Sequence, residues 1–336
     1  MTDAIAGGLA RELGRPVSEL RRVAGGDINE AFQAWLDDGS LVFVKTSPDA
    51  LAGSFAAEAE GLRWLAEPGA IRVPEVLAVV DPPGDGLRLL ALRWIEQGRL
   101  GPGGEEELGR GLAAVHAAGA PSFGGSAPLR LGALEIPNEP LADWPDFYAQ
   151  RRLLPLLRTA SDRGTADYAT VSAIESVCAR MHELAGPVEP PARLHGDLWA
   201  GNVMADAAGR PQLIDPLAYG GHREVDLAML RLFGGPSERC FAAYDEAFPL
   251  ADGYAERVAL YQLFPLLVHA VLFGGSYGAQ AGRAARSYVR DGPRSLCGGR
   301  IQLVSGGSVV SVAVMSPLGT WMSPLPPDSE QRTTGS

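Results

Sequence analysis

Residues His195–Asp215 read HGDLWAGNVMADAAGRPQLID, and the spacing of four side chains in this stretch decides the fold. Asp197 follows His195 by two positions, Asn202 follows Asp197 by five, and Asp215 closes the apolar run Leu213-Ile214. Phosphoryl transfer needs an acid beside the attacking hydroxyl, together with an amide and a carboxylate that hold Mg²⁺ on ATP. His195, Asp197, Leu198 and Asn202 satisfy H-x-D-L-x-x-x-N, the form of a kinase catalytic loop, without a gap. Asp197 is therefore assigned as proton acceptor, and Asn202 and Asp215 as Mg²⁺ ligands, because that ion takes a few hard oxygens. His195 is assigned to holding the loop by hydrogen bonding. Each aspartate taken singly could be a helix cap or turn carboxylate, but the joint spacing argues against that.

The upstream pieces stand in the expected order. From Arg21 to Ile95 the texture is strand-like, and Asp38-Gly39 separates two runs rich in β-branched and aromatic residues, as a hairpin turn should. Lys45 is the single lysine among 29 Lys and Arg residues. A chain that otherwise uses arginine has reason to keep one compact ammonium where it reaches ATP phosphates. The helical pattern Gly53–Glu67 offers Glu58 and Glu60 as its partner. At about 100° per residue Glu58 falls among Phe55, Leu62 and Leu65 on the apolar face, where a carboxylate must be paired, whereas Glu60 points away. Gly25-Gly26 lies between the first two strands, where bare backbone could approach phosphates; a plain hairpin turn explains it as well. Arg93, Trp94 and Ile95 end the strand-rich part and form a candidate hinge against adenine.

Helical patterns follow at Glu105–Ala118, Trp144–Arg158, Ala166–Leu184, Val225–Phe233, Ser237–Phe248, Tyr254–Phe273 and Ala279–Arg290. A strand-rich lobe followed by a helical lobe is an α+β layout with the cleft at the join. The predicted division is a nucleotide-binding lobe 1–92, a hinge 93–96, a helical catalytic and substrate lobe 97–290, and a tail 291–336. In that tail 20 of 46 residues are Gly, Ser or Pro and six are charged, so poor order is expected there. A net charge of −11 and a pI near 5.0 argue against nucleic acid as partner. Cys178, Cys240 and Cys297 are too few and too scattered for a disulfide framework, which suits the cytoplasm. The N-terminus has no apolar signal-like core, and Val258–Phe273, interrupted by Gln262, Pro265 and His269, reads as a buried helix rather than a membrane span. His182-Glu183 lacks the second histidine of a zinc-peptidase motif, and His116 and His269 read as core or surface histidines.

Taken together, GGDINEAF, VFVKT, FAAEAEGL, LHGDLWAGN, LIDPLAYGGHREVDLAM and YQLFPLLVHAVLFGGSY resemble the fructosamine kinase (ketosamine 3-kinase) family, within the aminoglycoside phosphotransferase and choline kinase-like group, over about residues 15 to 290. The resemblance implies a two-lobed protein-kinase-like fold: a small antiparallel-sheet lobe and a mostly helical one. It implies ATP-dependent phosphorylation of the 3-hydroxyl of ketosamines, namely ribulosamine, erythrulosamine or fructosamine adducts as small molecules or on glycated proteins. The phosphorylated product is unstable, so the modification is removed. It also matches Trp199 and His222 to residues near the sugar pocket and Asp226 to a support of the catalytic loop; a helix N-cap is the competing reading of Asp226. Two rivals stand beside this reading: a kinase for an aminoglycoside or choline-like substrate, and a nucleotide-binding protein without turnover.

Overall fold

The chain doubles back at Asp38-Gly39 because Gly39 adopts φ 80°, a left-handed conformation that costs glycine little. A computed structural model describes residues 2–23, 29–47, 50–82 and 86–289. Gly25 and Gly26, and the predicted tail 291–336, lie outside the described residues. Helix α1 (Thr2–Leu13) is followed by β1 (Val17–Val23), β2 (Glu30–Leu36), β3 (Leu41–Thr46), α2 (Ser54–Ala66), β4 (Val76–Val80) and β5 (Leu89–Arg93). The five strands form one antiparallel sheet in the order β1-β2-β3-β5-β4.

Side chains alternate between the two faces of β3, and this divides its residues by task. Val42 and Val44 join Phe32 and Ala34 against Ile5 and Leu9 of α1. Phe43 meets Phe55, Ala59 and Leu62 of α2 on the other face, and Lys45 shares the parity of Phe43. Full burial of Phe55 and Leu62 contributes roughly 1.5–3 kcal/mol each and fixes the rotation of α2 about its axis. That rotation is what aims Glu58 at Lys45.

After β5 the chain docks on the second lobe: Gly98 N donates to Ala205 O at 2.9 Å. A Cβ on Gly98 would stand 2.1 Å from Asp206 O, so only glycine fits this approach. The second lobe comprises α3 (Pro102–Ala117), the hairpin β6 (Leu129–Leu131) and β7 (Leu134–Ile136), α4 (Trp144–Phe147), a π-helix Tyr148–Leu153, α5 (Leu154–Asp162), α6 (Tyr168–Ala179) and α7 (Met181–Leu184). Then come β8 (Ala192–Leu194), β9 (Val203–Ala205), β10 (Pro211–Leu213), β11 (Tyr219–Gly221), α8 (Glu224–Leu232), α9 (Glu238–Ala247), α10 (Tyr254–Tyr261), α11 (Leu263–Phe273) and α12 (Tyr277–Val289). Two small antiparallel pairs, β8–β11 and β9–β10, flank the loop His195–Asn202 along the chain.

Three predicted helices are each divided. Trp144–Arg158 is α4, the π-helix and α5, because Pro155 has no N–H for the carbonyl of Arg151 and the register shifts by one residue before it. Tyr254–Phe273 breaks at Gln262, ahead of Pro265; the Tyr148 hydroxyl lies 3.0 Å from Leu260 O and 3.2 Å from Tyr261 O, which covers the carbonyls freed there. Ala166–Leu184 divides at Arg180 into α6 and α7. The segment Tyr254–Phe273 is long and apolar enough to cross a membrane, yet its window is 67% buried inside the protein, as the reading of a buried helix requires.

Candidate active site

The cleft between the lobes holds a cavity of about 1270 Å³ whose walls include Lys45, Glu58, Trp94, Ile95, Asp197, Asn202 and Asp215. Lys45 Nζ lies 2.9 Å from Glu58 Oε1 and 2.7 Å from Asp215 Oδ1. The contact with Asp215 spans 170 positions of chain. Burial by itself would lower the Lys45 pKa, but the carboxylates of Asp215 and Glu58 outweigh it and hold the ammonium above its ordinary value. Burial in turn lifts Glu58 to about 7 against the pull of Lys45. Glu60 stays exposed and forms no ion pair with Lys45.

Asp197 and Asn202 are held by the turn that their spacing encodes. Asn202 closes a 3₁₀ turn, Ala200–Asn202, and its Nδ2 donates to Asp197 O at 2.8 Å and to Asp197 Oδ2 at 3.1 Å. Asp197 is pushed up to about 7, first by burial and then by the negative charge of Asp215, with the Asn202 hydrogen bond pulling the other way. Asp215 has φ 56°, the sole positive φ of a non-glycine among the described residues. Strain of this kind persists only where surrounding bonds enforce it. Here Ile214 N donates to Asn202 O at 3.1 Å and Leu217 N to His195 O at 2.9 Å, pinning both sides of Asp215 to the loop His195–Asn202.

His195 is fully buried and lies 2.9 Å through Nε2 from Ile214 O, while Asp197 N donates to its Nδ1 at 3.3 Å. These partners assign a neutral ring with the proton on Nε2, and burial, its largest influence, lowers its pKa. Asp226 lies inside α8 rather than at its N-cap. Its Oδ2 accepts from His195 N at 2.7 Å and its Oδ1 from Gly196 N at 2.9 Å. His116 Nε2 completes the set at 3.2 Å from Asp226 Oδ2, with Nδ1 2.8 Å from the Tyr244 hydroxyl. His116, read from sequence as an ordinary histidine, thus backs the support of the loop; no local motif marks a contact across 110 positions.

Other candidates stand elsewhere. Trp199 does not line the cavity; its ring folds over Gly201, where a Cβ would come within 2.1 Å of it, and packs on Met229. His222 is likewise absent from the wall, lying in the core with its ring 5.3 Å from that of Tyr261 and its pKa driven by burial to about 4. Of the three predicted hinge residues, Trp94 and Ile95 line the cavity, whereas the Arg93 side chain turns outward to Glu75 at 2.7 Å. The sequence reading missed the far wall, built from Ser122, Gly124, Asn138, Tyr219 and Gly220. Its signal was two glycine pairs, Gly124-Gly125 and Gly220-Gly221: Gly124 N donates to Gly220 O at 2.7 Å and Gly220 N to Gly124 O at 3.1 Å. A Cβ on Gly220 would stand 1.9 Å from Ser122 O.

A sheet lobe over a helical lobe, with a lysine–glutamate pair above and the Asp197, Asn202 and Asp215 set below, defines a phosphotransferase of the kinase-like class. The fructosamine kinase family pattern matches residues 1–291. A Synechocystis protein named as a probable ketoamine kinase is 36% identical over 291 residues, covering 85% of this chain and 96% of its own. The chloroplastic protein-ribulosamine 3-kinase of Oryza sativa is 33% identical over 277 residues, covering 82% and 80%. A Thermobifida fusca crystal structure ascribed to a fructosamine-3-kinase superposes with a TM-score of 0.80 at 42% identity, covering 86% of this chain and 99% of that one. An aminoglycoside phosphotransferase at 19% identity, with a TM-score of 0.57, shares the fold. The chain belongs to the fructosamine kinase family.

Proposed function

We propose that this protein is an ATP-dependent ketosamine 3-kinase, which transfers the γ-phosphoryl group to the 3-hydroxyl of a ribulosamine, erythrulosamine or fructosamine adduct, free or on a glycated protein. The convergence of Lys45, Glu58, Asp197, Asn202 and Asp215 on one cleft, in a chain of this family, carries the reading. ATP would lie under the sheet, with its base toward Trp94 and Ile95 and its phosphates toward Lys45. Asp197, held by Asn202 and by the loop bonds of Asp226, receives the proton of the acceptor hydroxyl and aims that oxygen at phosphorus. Catalysis is then mainly positioning and charge neutralisation.

The donor set fits Mg²⁺. Asp215 offers carboxylate oxygens, and Asn202 donates through Nδ2 in both of its side-chain bonds, which leaves Oδ1 as a hard ligand. When bound, the ion would neutralise phosphate charge. We place the activity in the cytoplasm; Cys178 and Cys240 are free thiols.

Asp197→Asn tests the assignment. With ATP-Mg and a ribulosamine its turnover should fall about 10²- to 10⁴-fold, and full turnover would show that Asp197 is not the acceptor of the proton. A panel of ketoamines, aminoglycosides and choline separates the three readings. ATP-dependent product on an aminoglycoside or choline alone moves the substrate class, and binding of ATP with no product anywhere leaves only a nucleotide-binding role.

A further inference from the structure

Among the described residues Arg152 is the largest fully buried side chain, at 0% exposure. Nη1 donates to Pro137 O at 2.6 Å and to Arg151 O at 3.3 Å, and Nη2 donates to Asn138 Oδ1 at 2.7 Å. These acceptors are all neutral, and no carboxylate among the described residues forms an ion pair with it. The rest of its surroundings are aromatic: the guanidinium carbon lies 4.0 Å from the Tyr219 ring centroid, 4.5 Å from that of Phe147 and 5.6 Å from that of Phe264. Ring faces attract a desolvated cation. Burial, its largest influence, lowers the pKa of the guanidinium.

A buried ion can often be replaced by apolar residues of similar volume without loss of stability, so stability alone gives little reason to keep a charge here. The partners of Arg152 give a better one. Asn138 and Tyr219 both line the cavity. Asn138 is fixed from both ends of its amide, since Oδ1 accepts from Arg152 while Nδ2 donates to Ala127 O at 2.9 Å. Tyr219 pairs with Leu194 in the β8–β11 ladder, and its ring lies 3.1 Å from where a Cβ on Gly196 would stand, one residue before Asp197. Arg152 itself rides on the π-helix Tyr148–Leu153, a register interruption of the kind that recurs at functional sites. Pro155 leaves the Arg151 carbonyl free to take one of its hydrogen bonds.

We propose that Arg152 is a positioning residue for the phosphoryl acceptor: without touching substrate or nucleotide, it locks the Asn138 amide and the Tyr219 ring into the cleft wall beside Asp197. The planar guanidinium is needed, because a lysine's single ammonium cannot reach Pro137 O and Asn138 Oδ1 with the fixed fork of donors that arginine presents among these rings.

The experiment compares wild type, Arg152→Lys and Asn138→Ala with ATP-Mg and a ribulosamine, recording acceptor kcat and KM, ATP KM, and ATP hydrolysis without acceptor. The expected result in both variants is a fall of about 10- to 100-fold in acceptor kcat/KM, the scale of a small misplacement; in Arg152→Lys, whose side chain touches neither substrate nor nucleotide, ATP KM and acceptor-free hydrolysis stay within about twofold of wild type on that same scale. An unchanged acceptor kcat/KM in folded Arg152→Lys overturns the proposal, as does a loss shared equally by acceptor-free hydrolysis. Should Arg152→Lys fail to fold, Asn138→Ala carries the same test, and an unchanged acceptor kcat/KM in it overturns the proposal. The inference rests on the ketosamine kinase reading: a wild type inert toward every ketoamine refutes that reading, whereas an active wild type with insensitive variants refutes only the role of Arg152.

Discussion

Replacing Lys45 by methionine should uncouple three charges and report their balance in a single melt. Lys45, Glu58 and Asp215 have side-chain exposures of 9%, 14% and 21%, so little water is available to compensate once the ammonium is gone. Removing one member of a buried pair costs about 3–5 kcal/mol when the remaining charge stays trapped. Here the cost is smaller, because Glu58 already stands at about 7 and takes up a proton instead. A penalty of about 2–3 kcal/mol at pH 8 follows, lowering Tm by about 3–5 °C for the unfolding entropy of a chain this long. The sign with pH is fixed. Without Lys45 the burial of Glu58 keeps its folded pKa above the unfolded one, so the stability its protonated form contributes is complete below about pH 4 and is lost as pH rises through the folded value. The deficit of Lys45→Met relative to wild type should therefore shrink as pH falls from 8 to 5.5, as followed by differential scanning calorimetry. Phosphoryl transfer should fall by about 10²-fold or more at every pH, since the fixed charge on the phosphates is lost. An unchanged Tm at pH 8, or a deficit that grows on acidification, would refute the account of the triad.

The raised pKa of Asp197, about 7, predicts that kcat/KM of the wild type falls as pH drops below about 7 with the loss of one proton-accepting group, and that Asp197→Asn loses this limb along with its rate. The same buried charge should make Asp197→Asn melt higher than wild type at pH 8, an advantage that vanishes toward pH 5 as the wild-type acid is protonated; equal melts at pH 8 would contradict the burial argument. Asp226→Asn replaces an acceptor for His195 N, Gly196 N and His116 Nε2 by an amide that must turn a donor toward one of them. It should cost about 1.5–3 kcal/mol in urea unfolding and lower kcat more than ATP KM; an intact kcat would free Asp226 of any part in holding the loop. Gly220→Ala places a methyl group 1.9 Å from Ser122 O, so the far wall must separate; acceptor KM should rise about 10-fold or more in steady-state assays, and normal kinetics would show that this wall does not meet the acceptor.

The resemblance together with local spacing settled the α+β class, the family, the hairpin at Asp38-Gly39 and the choice of Glu58 over Glu60. The choice of Glu58 was legible because helix period and strand parity are properties of short stretches, and apolar neighbours such as Phe55 and Leu62 leave a helix one way to face its sheet. Proline also writes locally, so the breaks at Pro155 and Pro265 could have been read from the chain. What the sequence could not supply are contacts between separately formed elements, whether 14 positions apart or 170. Neither the pairing of Lys45 with Asp215, nor His116 behind Asp226, nor Arg152 under Asn138 and Tyr219 has a local signature, because each depends on how separately formed elements pack. For the same reason Trp199 and His222, matched by the resemblance to residues near a sugar pocket, are absent from the cavity wall: a motif fixes order along the backbone, while the side a ring faces is decided by the space that α8, α10 and α11 leave for it.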